Sequence, residues 1–297
     1  MDLSIKNGGL LKTSKFPHDD KAGFVEAVRF TAGATQFSEA LIEKDYFCSL
    51  VLNEIFSSAS HNLVFKGGTL LNKTHAGFYR LSEDLDFSID VAADASRATR
   101  RTLMKPVKEH FTKIVKKLSF RFSKKLDGKN ESSQYQGEIE YESLLLGNAG
   151  TIKVDIGLRE NVLEMQTLQA KTLLQDPFSQ DAVLQDFEIR GLSRNEAYAE
   201  KIRAALSREY PAIRDIFDLD YALKTKLFDP EKIAPLVRHK FEIQNCKANL
   251  SAERKAGFSA QIETNLRPVL RRADFESFDF ESAWGKVCSF ERLLSEI

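Results

Sequence analysis

Asp84 and Asp86 flank Leu85 in the stretch Arg80-Leu81-Ser82-Glu83-Asp84-Leu85-Asp86-Phe87-Ser88-Ile89-Asp90, which from Asp84 onward alternates polar with apolar residues. In an extended strand, residues two apart point to the same face. The two carboxylates therefore share one face, and Leu85, Phe87 and Ile89 share the opposite, buried one. Two carboxylates at that spacing suit Mg²⁺, a hard cation that takes oxygen ligands and keeps waters and substrate phosphates in its remaining positions. In phosphoryl and nucleotidyl transfer such an ion offsets charge on the attacking and leaving oxygens. A solvated strand face with two acids is the competing account.

Shortly upstream stands Gly67-Gly68-Thr69, followed by an apolar, helix-like run. Glycines allow close backbone approach, and the N–H groups that open a helix at Thr69 make an anion site with a favourable dipole. Thr69 adds a hydroxyl donor. An ordinary strand-to-helix turn has the same residues, and Lys66 reads equally as a phosphate ligand or an exposed strand residue. A third acid, Asp155, lies in Thr151-Ile152-Lys153-Val154-Asp155-Ile156, where Ile152, Val154 and Ile156 face one way and Thr151, Lys153 and Asp155 the other. It is placed to activate an attacking hydroxyl or share a metal, unless this is simply a polar outer face.

In Ala197-Tyr198-Ala199-Glu200-Lys201-Ile202-Arg203-Ala204-Ala205-Leu206-Ser207-Arg208 the apolar stripe is Tyr198, Ile202, Ala205 and Leu206. At about 100° per residue, Lys201 and Arg208 fall within roughly 20° of each other beside that stripe, with Arg203 far round the helix and read as surface. Lys201 and Arg208 could reach one triphosphate together, or merely snorkel. Asp215 and Asp218, three apart, lie on neighbouring faces of the next helix. They could orient Lys201 or Arg208, contact a base or ribose, or form a surface network with Arg214.

These residues need elements to hold them. Helical periodicity runs from about Asp19 to Phe56, with Ser38 as N-cap of its second helix. A short buried strand is expected over Asn62–Lys66, a helix from Thr69 to about Ala76 and a strand over Leu85–Val91. A long amphipathic helix follows from Ser96 to Leu118. Three strands are expected over Ser119–Lys124, Gly137–Leu146 and Thr151–Leu158, the last two joined by a hairpin at Gly147-Asn148-Ala149-Gly150. Helices are expected over Ser193–Tyr210 and Ile213–Lys226, with an all-helical remainder. The division is a helical lead over 1–61, a mixed α/β core over 62–185 and a C-terminal helical domain over 186–297, an α+β organisation.

The chain has 297 residues, 43 Lys and Arg against 43 Asp and Glu, and 42% hydrophobic residues, as expected of a soluble globular protein. No apolar run approaches the roughly 20 residues that span a bilayer. The N-terminal twenty residues lack the apolar core and cleavage pattern of a secretory signal. Cys48, Cys246 and Cys288 are scattered and read as free thiols in a reducing, cytoplasmic setting. Zero net charge argues against coating with nucleic acid by bulk electrostatics, but basic residues cluster over Arg97–Lys117 and Lys113–Lys125.

In combination these motifs resemble the AbiEii/AbiGii family of nucleotidyltransferases, the toxins of type IV toxin–antitoxin and phage-abortive systems, including the MenT-like proteins. The pieces that carry the resemblance are Glu43-Lys44-Asp45, Phe65-Lys66-Gly67-Gly68-Thr69, Arg80 to Asp86, Lys153-Val154-Asp155, Glu200 to Ala204, and Arg214-Asp215 with Asp218, in the family's order. The resemblance implies a polymerase-β-like nucleotidyltransferase palm, a mixed sheet with helices, followed by a C-terminal helical bundle. It implies that Lys66, Gly67, Gly68, Thr69 and Ser82 hold the NTP, that Asp84 and Asp86, with Asp155, bind Mg²⁺, that Lys201 contacts the nucleotide, and that Asp215 supports the site. MenT-like relatives add nucleotides to tRNA 3′ ends and block translation, and an antitoxin restrains them. A protein-modifying AMP- or phosphotransferase on the same fold, and a non-catalytic module with a degenerate palm, are the alternatives.

Overall fold

The computed structural model describes residues 16–58, 62–92, 94–159 and 162–294. Residues 1–15, most of the N-terminal stretch in which no secretory signal is expected, lie outside them. The chain divides into two compact units, Met1–Gly191 and Leu192–Ile297. The expected helical lead is thus part of the same unit as the sheet.

The first unit opens with α1 (Lys21–Thr35) and α2 (Glu39–Phe56). The Ser38 side chain accepts from the Leu41 N–H, the predicted cap. Nearly every side chain of α2 after Ala40 is buried, including Glu43 and Asp45. Strand β1 (Leu63–Lys66) runs into a single turn, α3 (Gly67–Leu70), that continues as a π-helical turn over Leu71–His75. After a loop come β2 (Asp84–Ile89), α4 (Arg97–Lys117), β3 (Arg121–Lys129), β4 (Gln134–Glu142), β5 (Ala149–Gly157), β6 (Met165–Ala170) and β7 (Phe187–Leu192).

The seven strands form one mixed sheet in the order β3-β4-β5-β2-β1-β7-β6. β2 pairs antiparallel with β1 and parallel with β5, and β4 lies antiparallel to both β3 and β5. One face is apolar: Phe65, Phe87, Ile139, Tyr141, Ile152, Val154 and Ile156 are all buried. α2 and α4 cover it, with Phe47 tilted against Tyr141 at 4.2 Å and Phe111 edge-on to Phe87 at 6.3 Å, ring centre to centre. Each fully buried aromatic or aliphatic side chain contributes about 1.5–3 kcal/mol relative to exposure, so this layer fixes the orientation of the strands. The polar face is left for chemistry.

The β4–β5 hairpin forms as expected, with its turn at Ser143–Asn148 and only Gly147 at positive φ (66°) within the predicted glycine pair. A second hairpin, β3–β4, turns through Asn130, Glu131 and Ser132, all at positive φ. No glycine marks that turn, so turn chemistry alone did not announce it.

Three conspicuous charges of this unit are structural. Glu43 accepts from the Ser143 hydroxyl (2.7 Å) and the Leu144 N–H (2.7 Å), pinning the β4–β5 turn to α2. Asp45 pairs with Lys73 at 2.6 Å, both side chains almost fully buried, and accepts from the Leu173 N–H. Lys73 also donates to Ser49 (2.7 Å), so its buried ammonium is held on several sides.

The second unit is helical: α5 (Arg194–Ser207), α6 (Ile213–Lys224), α7 (Pro230–Ile243), α8 (Ala252–Ser259), α9 (Arg272–Glu276) and α10 (Phe280–Cys288). Ser193 caps α5 through the Glu196 N–H. The buried Lys240 ammonium of α7 clamps Glu196 (2.5 Å) and Glu200 (3.3 Å) of α5. Arg254 closes the other end of α5, donating to the carbonyls of Ala204, Ala205 and Arg208. A guanidinium at a helix C-terminus satisfies orphan carbonyls and complements the dipole. Among the described residues no helix is long and apolar enough to cross a membrane.

Candidate active site

The strand register sets the polar side chains of the sheet in two rows. Lys66 of β1 is abreast of Asp86 of β2, Asp86 of Asp155 on β5, and Asp155 of Gln136 on β4. One step along the strands, Asp84 is abreast of Lys153, Lys153 of Glu138, and Glu138 of Lys124 on β3. The alternation read from the sequence therefore holds: Leu85 and Phe87 are buried on the apolar face, while Asp84 and Asp86 are half-buried on the other. A cavity of about 290 Å³ opens over these rows, lined by Asp84, Asp86, Asp155, Lys153, Glu138, Gln136 and Lys124.

The glycine pair closes one side of this face. Gly67 has φ 78°, the left-handed region, and a Cβ there would stand 3.1 Å from both Cβ and Cγ of Asp86 and overlap its carboxylate. Only a residue without a side chain lets the Asp86 carboxylate and the backbone turn meet. A Cβ on Gly68 would come within 2.5 Å of the Arg80 guanidinium and 3.0 Å of the Ser82 hydroxyl. Arg80 is buried and donates to the Leu81 carbonyl at 3.0 Å. The turn thus brings backbone N–H groups, a hydroxyl and a guanidinium to one place, an arrangement that suits phosphate oxygens. Nothing local in the sequence marks Arg80 as buried against the glycine.

Thr69 sits differently from its expected role. It is buried, and its hydroxyl donates to the Asp84 carbonyl at 2.6 Å. That bond ties the first turn of α3 to the start of β2, so the hydroxyl proton is already engaged and Thr69 serves the position of Asp84. Lys66 is half-buried in the carboxylate row, its ammonium 3.8 Å from where a Cβ on Gly157 would stand. Asp155 stands abreast of Asp86, but its Oδ2 accepts from Gln134 (2.6 Å) and Gln136 (2.7 Å). Both glutamines alternate with buried residues on β4, and that period-2 pattern was the signal that could have found them.

For a divalent metal, the donor set is two carboxylates on one strand face and a third on the adjacent strand whose Oδ2 two amides already hold. Among the described residues no group of three or more His, Cys, Asp or Glu is gathered closely enough to hold a metal ion. Asp84 and Asp86 fit a hard cation that draws its remaining oxygens from water and from a triphosphate, which is the usual habit of Mg²⁺.

The second unit carries its own charged cluster. Lys201 of α5 lies 2.6 Å from Asp215 and 2.7 Å from Asp218, both buried on α6. Arg208 reaches the other oxygen of Asp215 at 3.3 Å. Lys201 and Arg208 do not share a helix face, because α5 ends at Ser207 and Arg208 is its extended C-cap. The two cations meet through Asp215 instead. Burial alone would raise the Asp215 pKa, but Lys201 and Arg208 outweigh it and hold the carboxyl below its ordinary value. Arg203, read as surface, is only half exposed, with its Nε buried.

A family profile described as "Nucleotidyl transferase AbiEii toxin, Type IV TA system" matches residues 50–287. The chain belongs to that family. It is a nucleotidyltransferase of the toxin–antitoxin kind, as the motif order had implied. Among solved structures, the crystal structure of JHP933 from Helicobacter pylori is similar with a TM-score of 0.51 at 15% identity, covering 87% of this chain and 93% of that one. A second H. pylori structure, solved as a candidate nucleotidyltransferase, gives the same score and identity over 87% and 96%. At that identity these two relatives speak for the fold, a mixed sheet with many helices. No match is found among curated proteins.

Proposed function

We propose that this AbiEii-family enzyme transfers NMP from an NTP to an acceptor hydroxyl in a Mg²⁺-dependent reaction, that the acceptor is the 3′ end of a tRNA, and that the product blocks translation and growth in the cytoplasm until a cognate antitoxin restrains the enzyme. The observation that carries the reading is the Asp84–Asp86 face, abreast of Asp155 and closed by a Gly67-Gly68 turn that admits no side chain. Asp84 and Asp86 would hold the metal, which when bound offsets charge on the phosphate oxygens. The backbone N–H groups at Gly68 and Thr69, with Ser82 and Arg80, take the non-reacting phosphates. The acceptor oxygen then attacks the α-phosphorus as the bond to pyrophosphate breaks. Asp155, oriented by Gln134 and Gln136, receives the hydroxyl proton directly or through water. The family resemblance gives Lys201 to the nucleotide and Asp215 to its support; the ion pairs of Asp218 with Lys201 and of Arg208 with Asp215 add those two residues to the cluster.

The test is incubation with total tRNA and each α-³²P-NTP in turn. The wild type labels RNA; Asp86→Ala, with unchanged circular dichroism, does not. Equal labelling by that variant would remove the mechanism. Label appearing on protein, or only from γ-³²P-ATP, would move the enzyme to a protein-modifying class. In bacteria, induction of the chain alone should arrest growth, and co-expression of the antitoxin should restore it.

A further inference from the structure

The chain is neutral as a whole, 43 basic against 43 acidic residues, but its charge is sharply segregated. Between Arg97 and Lys129 twelve Lys and Arg stand against Glu109 and Asp127 alone, a local charge of +10 that the rest of the chain balances with −10. This span is α4 and β3. The buried edge of α4 is Met104, Val107, Phe111, Ile114 and Val115. On its solvent side Arg101, Lys105 and Lys116 fall within roughly 60° of one another, with Lys113 adjoining them. All four are exposed. Lys117 pairs with Glu54 and Arg121 with Glu140, whereas Arg101, Lys105, Lys113, Lys116, Lys125 and Lys129 have no acidic partner among the described residues. Six cations left without acids over one continuous stretch amount to more than a solvated helix face.

Strand β3 joins the strip to the carboxylate cavity. α4 covers the apolar face of the sheet, β3 is the open edge strand that follows it, and Lys124 of β3 lines the cavity on the opposite face together with Lys153. Lysines on an edge strand discourage sheet-to-sheet pairing in any case. That does not account for α4, which is no edge. The strip also lacks what a protein partner or a lipid surface needs: among the described residues the exposed large hydrophobic ones are Leu146, Met165, Phe178 and Tyr210, none of them in it. From Arg101 to Lys116 the helix presents cations over about 22 Å, a length matched to several successive phosphates of a nucleic acid.

We propose that α4 and β3 form an RNA-binding surface that grips the phosphate backbone of the acceptor and leads it over the β3 edge to the cavity at Lys124. The inference rests on the transferase reading for the acceptor's chemistry, and binding can be read without catalysis. The experiment compares the full-length wild type, a variant carrying Arg101→Gln, Lys105→Gln, Lys113→Gln and Lys116→Gln, and a control with Lys232→Gln, Lys247→Gln, Arg267→Gln and Arg272→Gln on the other unit. Fluorescence anisotropy of dye-labelled bulk tRNA is followed across salt, with no nucleotide present. Each phosphate contact contributes roughly 0.7–0.9 to the slope of log K against log salt, so loss of four flattens it by about 3. If half of that is realised at 0.1 M salt, affinity falls about 30-fold. The control variant keeps wild-type affinity, and calorimetric binding of Mg-ATP is the same in all three proteins.

Unchanged tRNA affinity in the α4 variant, equal loss in the control, or no tRNA binding by the wild type at low salt overturns the proposal. Displacement of tRNA by poly-glutamate at equal anion concentration would assign the surface to an acidic protein and overturn it as well. A protein that binds tRNA through α4 yet transfers no NMP would keep the surface and remove the reaction.

Discussion

Gly67→Ala separates the site's geometry from its backbone strain. Two penalties coincide at this glycine. A φ of 78° costs a residue with a Cβ about 1–2 kcal/mol. The new methyl would also overlap the Asp86 carboxylate and sit 3.1 Å from its Cβ and Cγ, so the acid must retreat by about 1 Å to reach ordinary van der Waals separation. A displacement of that size at a reacting centre can cost on the order of 100-fold in rate. Gly147 supplies the control: φ 66°, in the β4–β5 turn, and nothing within 4 Å of a built Cβ. Gly147→Ala therefore carries the backbone penalty without the collision. Urea denaturation should find Gly147→Ala destabilised by about 1–2 kcal/mol and Gly67→Ala by more than that, while α-³²P-NMP transfer falls about 100-fold for Gly67→Ala and stays within a few-fold for Gly147→Ala. Wild-type turnover in Gly67→Ala, or equal losses in both, would refute the claim that this glycine exists to admit Asp86.

Lys73→Met leaves Asp45 a buried, unpaired charge and should cost about 3–5 kcal/mol in urea unfolding; adding Asp45→Leu should return part of that loss, since the pair is worth less than either orphan. The depressed pKa of Asp215 fixes the sign of a pH effect: its stabilising contribution is fully present above the unfolded-state carboxylate pKa of about 3.9 and is lost as pH falls through the lower folded value. Asp215→Asn should therefore be less stable than wild type by a constant margin near neutrality, and the margin should shrink only below about pH 4; a margin already shrinking at pH 6 would contradict the assignment.

Local rules located much of the fold. Period-2 alternation identified the faces of β2 and β5 before any strand was paired, because pleat geometry is a property of the backbone itself. Ser38, Ser96 and Ser193 marked helix starts, and each accepts the N–H three residues on. β6 escaped because its short, polar-rich run is a strand only by virtue of its place at the sheet edge, whereas β7 alternates apolar with polar residues over Phe187–Ile189 in a run too short to stand out from the helix that follows it.

The sequence by itself determined which side chains share a face and in what order the motifs come, since both follow from neighbours in the chain. Tertiary structure decided what those side chains do. Asp86 and Asp155, far apart in sequence, stand abreast only because β2 and β5 pair in parallel. Gln134 and Gln136 reach Asp155 only because β4 returns antiparallel beside β5. Asp215 and Asp218 had several available partners in the sequence, and the packing of α6 on α5 delivered Lys201 to both. Glu43 and Asp45, charged and motif-borne, became structural when the core closed around them, because a buried carboxylate must be paired or hydrogen-bonded wherever the fold offers a donor. Pairing between distant segments is set by the free energy of the whole sheet, and no window of sequence contains it.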